Sequence, residues 1–384
     1  ELLQEMRKND IILEIPRRGD LPVDVLIYHE PCWLLEAAEL VFTLVNQIPP
    51  QELSGEGQFC LPAKEVERIR SAACAGIDPE DKRMQFYFQG VPLEGIPERM
   101  SCLGVGLLHQ TLELGHPDPE DMVQALLEDW KEYAKCGFHI GGIGPFTFNT
   151  KENTPKTFCS LAESLERLPI PVSYQMRILE VYSAYEFHLR QVAELLKPVA
   201  YALRTLLAPW VKNTEPLLEQ WKTFFQNNSP EEFLQNRARA IASNYDTLEI
   251  AIGYFFPNLC PAMTYDNAQD NIHAVRCILG LSRVPSMHLS TTLKPEEWEL
   301  SALRLIANPA RLDMLYTMRE KPQAVQELAQ KLNLNVGSVS RDITNMRNAR
   351  LLLVDYSGER TVYRTNIVEI DKIIRKVREY LHDI

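Results

Sequence analysis

Gln323-Ala-Val-Gln-Glu-Leu-Ala-Gln-Lys-Leu-Asn-Leu-Asn-Val-Gly-Ser-Val-Ser-Arg-Asp-Ile-Thr-Asn-Met-Arg-Asn348 decides the reading of this chain. Val325, Leu328, Ala329 and Leu332 fall at i, i+3, i+4 and i+7, the apolar face of a short helix. Asn333 to Asn335 make a turn with Leu334 as an apolar plug, and Asn335 is a good N-cap for the next helix. Val336, Val339, Ile343 and Met346 form a second apolar stripe. Gly337, Ser338, Ser340, Arg341, Thr344 and Asn345 lie off that stripe. Small residues at a helix start permit close approach to a surface. An Arg then reaches guanine edges or phosphates, and Asn reads adenine, so the pattern suits a helix entering a major groove. A helical hairpin with a solvated polar face has the same periodicity, so the flanking segments must decide.

Working outward, Leu351-Leu-Leu-Val-Asp-Tyr356 and Arg360-Thr-Val-Tyr-Arg-Thr365 read as strands joined by a Ser357-Gly358-Glu359 turn. Two helices followed by a β-hairpin make a winged helix, with Arg360 at the wing tip, placed for a backbone phosphate. Upstream, Leu300 to Ala307 is helical. Asn308-Pro309 then supplies an N-cap followed by proline at the first position of a helix to Arg319.

Leu303-Arg-Leu-Ile-Ala-Asn-Pro-Ala-Arg-Leu-Asp-Met-Leu315, Glu327-Leu-Ala329, Ser338-Val-Ser-Arg341 and the wing ending in Val362-Tyr-Arg364 together resemble the ArsR-type winged-helix repressor domain. The likeness covers about Trp298 to Leu381. Two positions depart from it: Asp342 stands where the family usually has His, and Ala349-Arg350 replaces a pair ending in Gly. The resemblance implies repression, binding to double-stranded DNA, and a homodimer built through the helices that flank the winged helix. It also shows what is missing. The usual metal positions lack their ligands: Glu327-Leu-Ala329 has no Cys, Asp371 has no His two residues on, and His382 is the module's one His. No metal and no cofactor are expected. Cys102, His109 and His116 match no short metal motif.

The 384 residues carry a formal net charge of −12, unevenly spread. From Trp298 onward there are 14 Lys and Arg against 11 Asp and Glu, and the remainder holds 26 against 41. An acidic body with a mildly basic C-terminal module suits a regulator with a separate sensing or assembly domain. Eight scattered Cys without CxxC pairs fit free thiols in a reducing cytoplasm. No stretch has the apolar length of a membrane span, so no membrane partner is expected.

The expected class is mainly α with small β elements (α+β). Residues 1–290 form a mixed, mostly helical sensing or assembly domain, and 291–384 the winged helix with a C-terminal dimerisation helix. In the first domain, 10–15, 23–28, 83–88, 247–256 and 273–279 read as strands. Helices are expected over 32–47, 63–75, 119–135, 172–207 with a kink at Pro198, 215–226 and 230–241. Val368 to Leu381 places Ile370, Ile373, Ile374, Val377 and Leu381 on one face. Ile140-Gly-Gly-Ile-Gly144 lacks the Lys-Ser/Thr of a phosphate loop, and no nucleophile or metalloprotease signature is present. The function expected is sequence-specific, non-enzymatic transcriptional regulation with an unidentified small-molecule effector. The alternatives are a winged helix used for protein contacts, and a ligand-binding or enzymatic N-terminal domain.

Overall fold

The computed structural model describes residues 10–15, 22–136, 155–285 and 295–382, except 56, 94–95, 110–112, 117, 167–169, 235–237, 239, 242–244, 256, 258–259, 261, 268–271, 296 and 356–360. In chain order the elements are β1 (Ile11–Ile15), β2 (Val23–Tyr28), α1 (Trp33–Val45), α2 (Ala63–Ala73), α3 (Lys82–Phe88), β3 (Val91–Leu93), β4 (Ile96–Ser101), α4 (Leu103–Leu108) and α5 (Pro119–Cys136). Then come α6 (Phe158–Glu166), α7 (Val172–Ser183), α8 (Tyr185–Leu206), α9 (Ala208–Asn213), α10 (Glu215–Asn227), α11 (Pro230–Phe233), β5 (Ala240–Ile241), β6 (Thr247–Gly253), β7 (Ala262–Asn267) and β8 (Ile272–Gly280). The chain closes with α12 (Glu297–Ile306), α13 (Pro309–Glu320), α14 (Val325–Leu332), α15 (Val336–Asn348), β9 (Leu352–Asp355), β10 (Val362–Thr365) and α16 (Ile367–His382). The chain is mainly helical with small sheets and divides into two compact units. The first takes residues 1–148, 153–230 and 245–285, and the second 149–152, 231–244 and 286–384.

The first unit is built on a five-stranded sheet of order β1-β2-β6-β8-β7. Its three inner strands are parallel and its two edge strands antiparallel to their neighbours. In register, Val25, Ile27, Leu248, Ile250, Cys277 and Leu279 share one face of the sheet and are all buried, while the other face is more polar, with Asp24 exposed and Leu26 and Glu249 half-buried. Helix α10 packs on β1 and β2, and α8 packs on α1, α2 and α5. Leu189, Val192, Leu196, Val199 and Leu203 carry the buried stripe of α8.

Polar groups also enter this interior. The buried Glu36 carboxylate on α1 accepts the backbone N–H groups of Tyr254 and Phe255 at 2.9 and 3.0 Å, capping the end of β6. Burial pushes its carboxyl up to about 8 in spite of those donors. Glu249 and Arg276 face each other across β6 and β8. Arg276 pairs with Glu113, with Glu249 at 3.5 Å and with Asp129 at 3.8 Å, and the Tyr28 hydroxyl donates to Glu249 at 3.0 Å. Burial, followed by a hydrogen bond with Asp129, raises Glu113 to about 9.

Several expected elements differ. Residues 83–88 are helical, because Asp81 caps the helix by accepting the N–H groups of Arg83 and Met84, which outweighs the β preference of Phe86-Tyr87-Phe88. The long helix over 172–207 is two helices that break at Ala184 (φ −144°, ψ 52°), and α8 continues through Pro198. The helix expected to reach Ile241 is α-helical only to Phe233, Leu234 and Ala238 are π-helical, and Ala240–Ile241 is instead a strand paired with β9. Strands β3, β4 and β7 were not foreseen. The glycine-rich stretch at 140–144 lies outside the described residues.

In the second unit α12 to α16 surround one apolar core. Ala302, Met314, Leu315, Met318, Leu328, Val339, Ile343, Met346, Leu352, Val354, Tyr363 and Ile373 are buried there. β10 is antiparallel to β9, and Gln323 and Tyr363 exchange backbone hydrogen bonds of 3.0 and 2.9 Å on the other side of β10. This is a winged helix. Leu328 and Ala329 of the first stripe are buried, with Val325 and Leu332 packed at the rim. In the second stripe Val339, Ile343 and Met346 are buried, but Val336 is 48% exposed at the helix start and leaves the core.

Candidate nucleic-acid interface

The turn between α14 and α15 is set by two asparagines. Asn333 takes φ +53°, a left-handed conformation that Asn tolerates better than most residues, and so ends α14. The Leu334 N–H then closes back on the Ala329 carbonyl at 2.9 Å, leaving the Leu334 side chain partly exposed. Asn335 caps α15: its Oδ1 accepts the N–H groups of Gly337 at 2.9 Å and Ser338 at 3.3 Å. A Cβ on Gly337 would lie 3.1 Å from that same Oδ1, tighter than ordinary contact, so glycine here protects the cap as well as keeping the surface low. The upstream start of α14 is held by Glu327, whose carboxylate accepts the Ala324 N–H at 3.4 Å.

Helix α15 therefore turns Val339, Ile343 and Met346 inward and leaves Gly337 and Arg341 exposed, with Ser338, Ser340 and Asn345 half-buried. The Arg341 guanidinium donates to the Ser338 hydroxyl at 3.3 Å, so these two predicted contacts form one exposed polar group one turn into the helix. Thr344 departs from expectation. It is buried, and its hydroxyl donates to the Ser340 carbonyl at 3.0 Å, so this side chain lies on the helix's inner flank and not on its exposed face. Arg360 and the 357–359 turn lie outside the described residues.

Both departures from the family pattern have structural partners. Arg311 on α13 donates to Asp342 at 2.8 Å, which balances the acidic charge that the sequence places on this helix. Arg350 itself adopts the left-handed conformation, φ +64°, at the end of α15, where the Leu351 N–H returns to the Met346 carbonyl at 2.9 Å. Its guanidinium lies 3.8 Å above the Trp298 ring. The Asn366 amide donates to the Arg350 carbonyl at 3.3 Å. Arg311 and Trp298 were not singled out from sequence. The signal was the unusual residue at each partner position, Asp342 and Arg350, each of which calls for a compensating group.

The last helix divides its apolar residues between two faces. Ile373 is buried and Ile370 packs on the core, while Ile374 and Leu381 are 51% and 63% exposed. The single apolar face expected over 368–381 is thus two, and Ile367, Ile374 and Leu381, spaced by seven, make the outer one. Lys376 pairs with the buried Glu299 at 2.7 Å and ties α16 to α12.

Of the scattered candidates in the first unit, Cys102 is the buried residue preceding α4, His109 follows that helix, and His116 lies 3.5 Å from Glu113. Among the described residues no group of three or more His, Cys, Asp or Glu is arranged to hold a metal, and no helix is long and apolar enough to cross a membrane.

Capped turn, exposed helix start and hairpin define a winged helix-turn-helix, a class that docks its second helix in the major groove of DNA. More particularly, residues 308–353 match the family described as "Bacterial regulatory protein, arsR family", so the C-terminal unit carries an ArsR-type helix-turn-helix, the DNA-binding module of a transcription regulator. The solved structure of NolR from Sinorhizobium fredii is 25% identical over a match that covers 23% of this chain and 95% of that chain, with a TM-score of 0.19. No curated protein matches the chain.

Proposed function

We propose that the chain is a sequence-specific transcriptional repressor that binds double-stranded DNA as a homodimer. Its first unit, on this reading, is a non-enzymatic sensing or assembly unit for a small-molecule effector. The observation that carries the reading is the Ser338–Arg341 group at the exposed, Asn335-capped start of α15. Ser338 and Arg341 make the leading base-edge or phosphate contacts, Asn345 contributes from the next turn, Ser340 holds a phosphate or the helix start, Gly337 allows close approach, and Arg360 meets a backbone phosphate. The outer stripe of α16 supports a dimer: Ile367, Ile374 and Leu381 expose apolar surface that a second copy would cover.

Selection from random duplexes at moderate salt tests this with the full chain. A palindromic site with half-sites about one helical turn apart is expected. Arg341→Ala should weaken binding to that site by roughly 1–3 kcal/mol and relax one position of it. Enrichment of no sequence, with the chain monomeric in light scattering, would count against both the reading helix and the dimer.

A further inference from the structure

The wing of the second unit has a third strand that comes from far upstream. β9 lies between β10 and β5, and β5 runs parallel to it with Ala240 opposite Val354 and Ile241 opposite Asp355. The other side of β10 is already taken by Gln323. The outer edge of β9 is therefore the edge the hairpin would leave open, and β5 closes it. A two-stranded hairpin of four-residue strands is marginally stable in water, and a third strand supplies both order and a covered edge.

The origin of β5 gives this pairing its consequence. Residues 231–244 belong to the second unit, while the chain on both sides of them, 153–230 and 245–285, belongs to the first. The chain leaves one folded unit, lends two residues to the wing of the other and returns. It is also fixed upstream of β5, since Phe233 and Leu234 are buried. The sequence alone does not ask for this arrangement. Ala238-Arg-Ala-Ile-Ala242 is a helix-favouring run, yet Ala240–Ile241 is extended, so pairing with β9 has overridden the local preference.

We propose that the segment carrying β5 is a strap: it braces the wing for DNA and couples the wing's order to the state of the first unit, whose chain holds both of its ends. The proposal rests on the reading of the second unit as a DNA-binding module. A braced wing meets the duplex already ordered, so loosening the strap adds an ordering cost to binding. A change in the first unit that shifts either end of the segment would reach DNA affinity through the β5–β9 pairing.

The test compares three full-length variants with the natural chain. Ala240→Pro with Ile241→Pro removes the strand's N–H groups, Ala240→Val with Ile241→Val keeps its β preference, and eight Gly/Ser residues inserted between Asn244 and Tyr245 slacken the segment without touching β5. Hydrogen exchange is followed across 352–355, with α15 as the folding control, and affinity is measured for the duplex selected by the natural chain. The proline variant should exchange at β9 at least ~10-fold faster with α15 unchanged, and bind DNA ~3–10-fold more weakly. The valine variant should match the natural chain. The slackened variant should keep its β9 protection but lose ~2–5-fold in affinity, which separates coupling from a merely local brace.

Unchanged β9 exchange in the proline variant would overturn the pairing. Natural affinity in the slackened variant would overturn the coupling, and tighter binding by either would overturn the brace. If the natural chain binds no duplex, the DNA reading fails and the coupling falls with it, while β9 exchange still decides the pairing. If the proline variant also loses α15 protection, it has misfolded, and the slackened variant alone decides the coupling.

Discussion

In the C-terminal unit ion pairs tie helices together: Lys376 on α16 with Glu299 on α12, and Arg311 on α13 with Asp342 on α15. In the N-terminal unit the Arg276 guanidinium lies among three carboxylates, Glu113, Asp129 and Glu249, with His116 also 3.5 Å from Glu113, and Glu36 is buried against backbone N–H groups. Pairs that bridge helices hold those elements together. Burial raises Glu36 and Glu113, so these carboxyls keep a proton more tightly in the folded state and tie the first unit's stability to pH. The first unit therefore has a pH-dependent fold, and the second a fold held by an apolar core and helix-bridging ion pairs.

The severest way to break this contrast is to remove the shared cation. Arg276→Met keeps much of the length of the side chain but leaves three carboxylates gathered on one face of the sheet. Loss of one partner from a buried ionic cluster costs about 3–5 kcal/mol. Segment-resolved hydrogen exchange should show β6 and β8 losing protection while α15 keeps it. A stability within ~1 kcal/mol of the natural chain would mean that Arg276 does not organise these carboxylates.

A milder perturbation is pH. Burial raises Glu36 and Glu39 from an ordinary 4.5 to about 8, and Glu113 to about 9. Each then holds its proton more tightly folded than unfolded between those two values. Over that window the folded state binds more protons, so stability falls as pH rises. Burial lowers His109 to about 4 and also lowers His188, which contributes in the opposite direction, but that contribution is complete above the ordinary histidine value of 6.5. Above pH 6.5 each of the three carboxyls costs up to about 1.4 kcal/mol per pH unit until its folded value is passed, so between pH 6.5 and 9 the first unit should lose on the order of 5–7 kcal/mol in denaturant titrations. A flat or rising profile would show that these carboxyls are not held neutral by the fold.

The two units also differ in how much of them could be read from sequence. The winged helix was legible because its signals are local. Asn308-Pro309 and Asn335 are caps, Val339, Ile343 and Met346 keep a helical period, and the wing strands flank a glycine. The exposed face of α15 followed from that period, apart from Thr344, whose polarity suggested exposure although its position faces inward. The first unit hides its order in long-range pairings. β2 pairs with β6 across more than two hundred residues, β6 pairs with β8 past the intervening β7, and nothing in the run 83–88 announces that Asp81 will cap it into a helix. Strand β5 is the extreme case, two residues whose conformation is decided by β9 more than a hundred positions away.

The smallest effects sharpen the contrast inside the second unit, where one cap and one hydroxyl separate folding from reading. Asn335→Ala removes the acceptor for two N–H groups at the start of α15 and should cost about 1 kcal/mol of stability in the second unit. DNA affinity should fall with it, because Ser338 and Arg341 sit on the turn that frays. Asn335→Asp restores an acceptor and should recover the stability, though its charge faces the same phosphates that Arg341 would approach. Thr344→Val gives up only a hydroxyl that donates to its own helix at Ser340, so affinity should stay within about 0.5 kcal/mol of the natural chain. A larger loss of binding at unchanged stability would return Thr344 to the reading face and would mean that α15 rolls when it meets DNA.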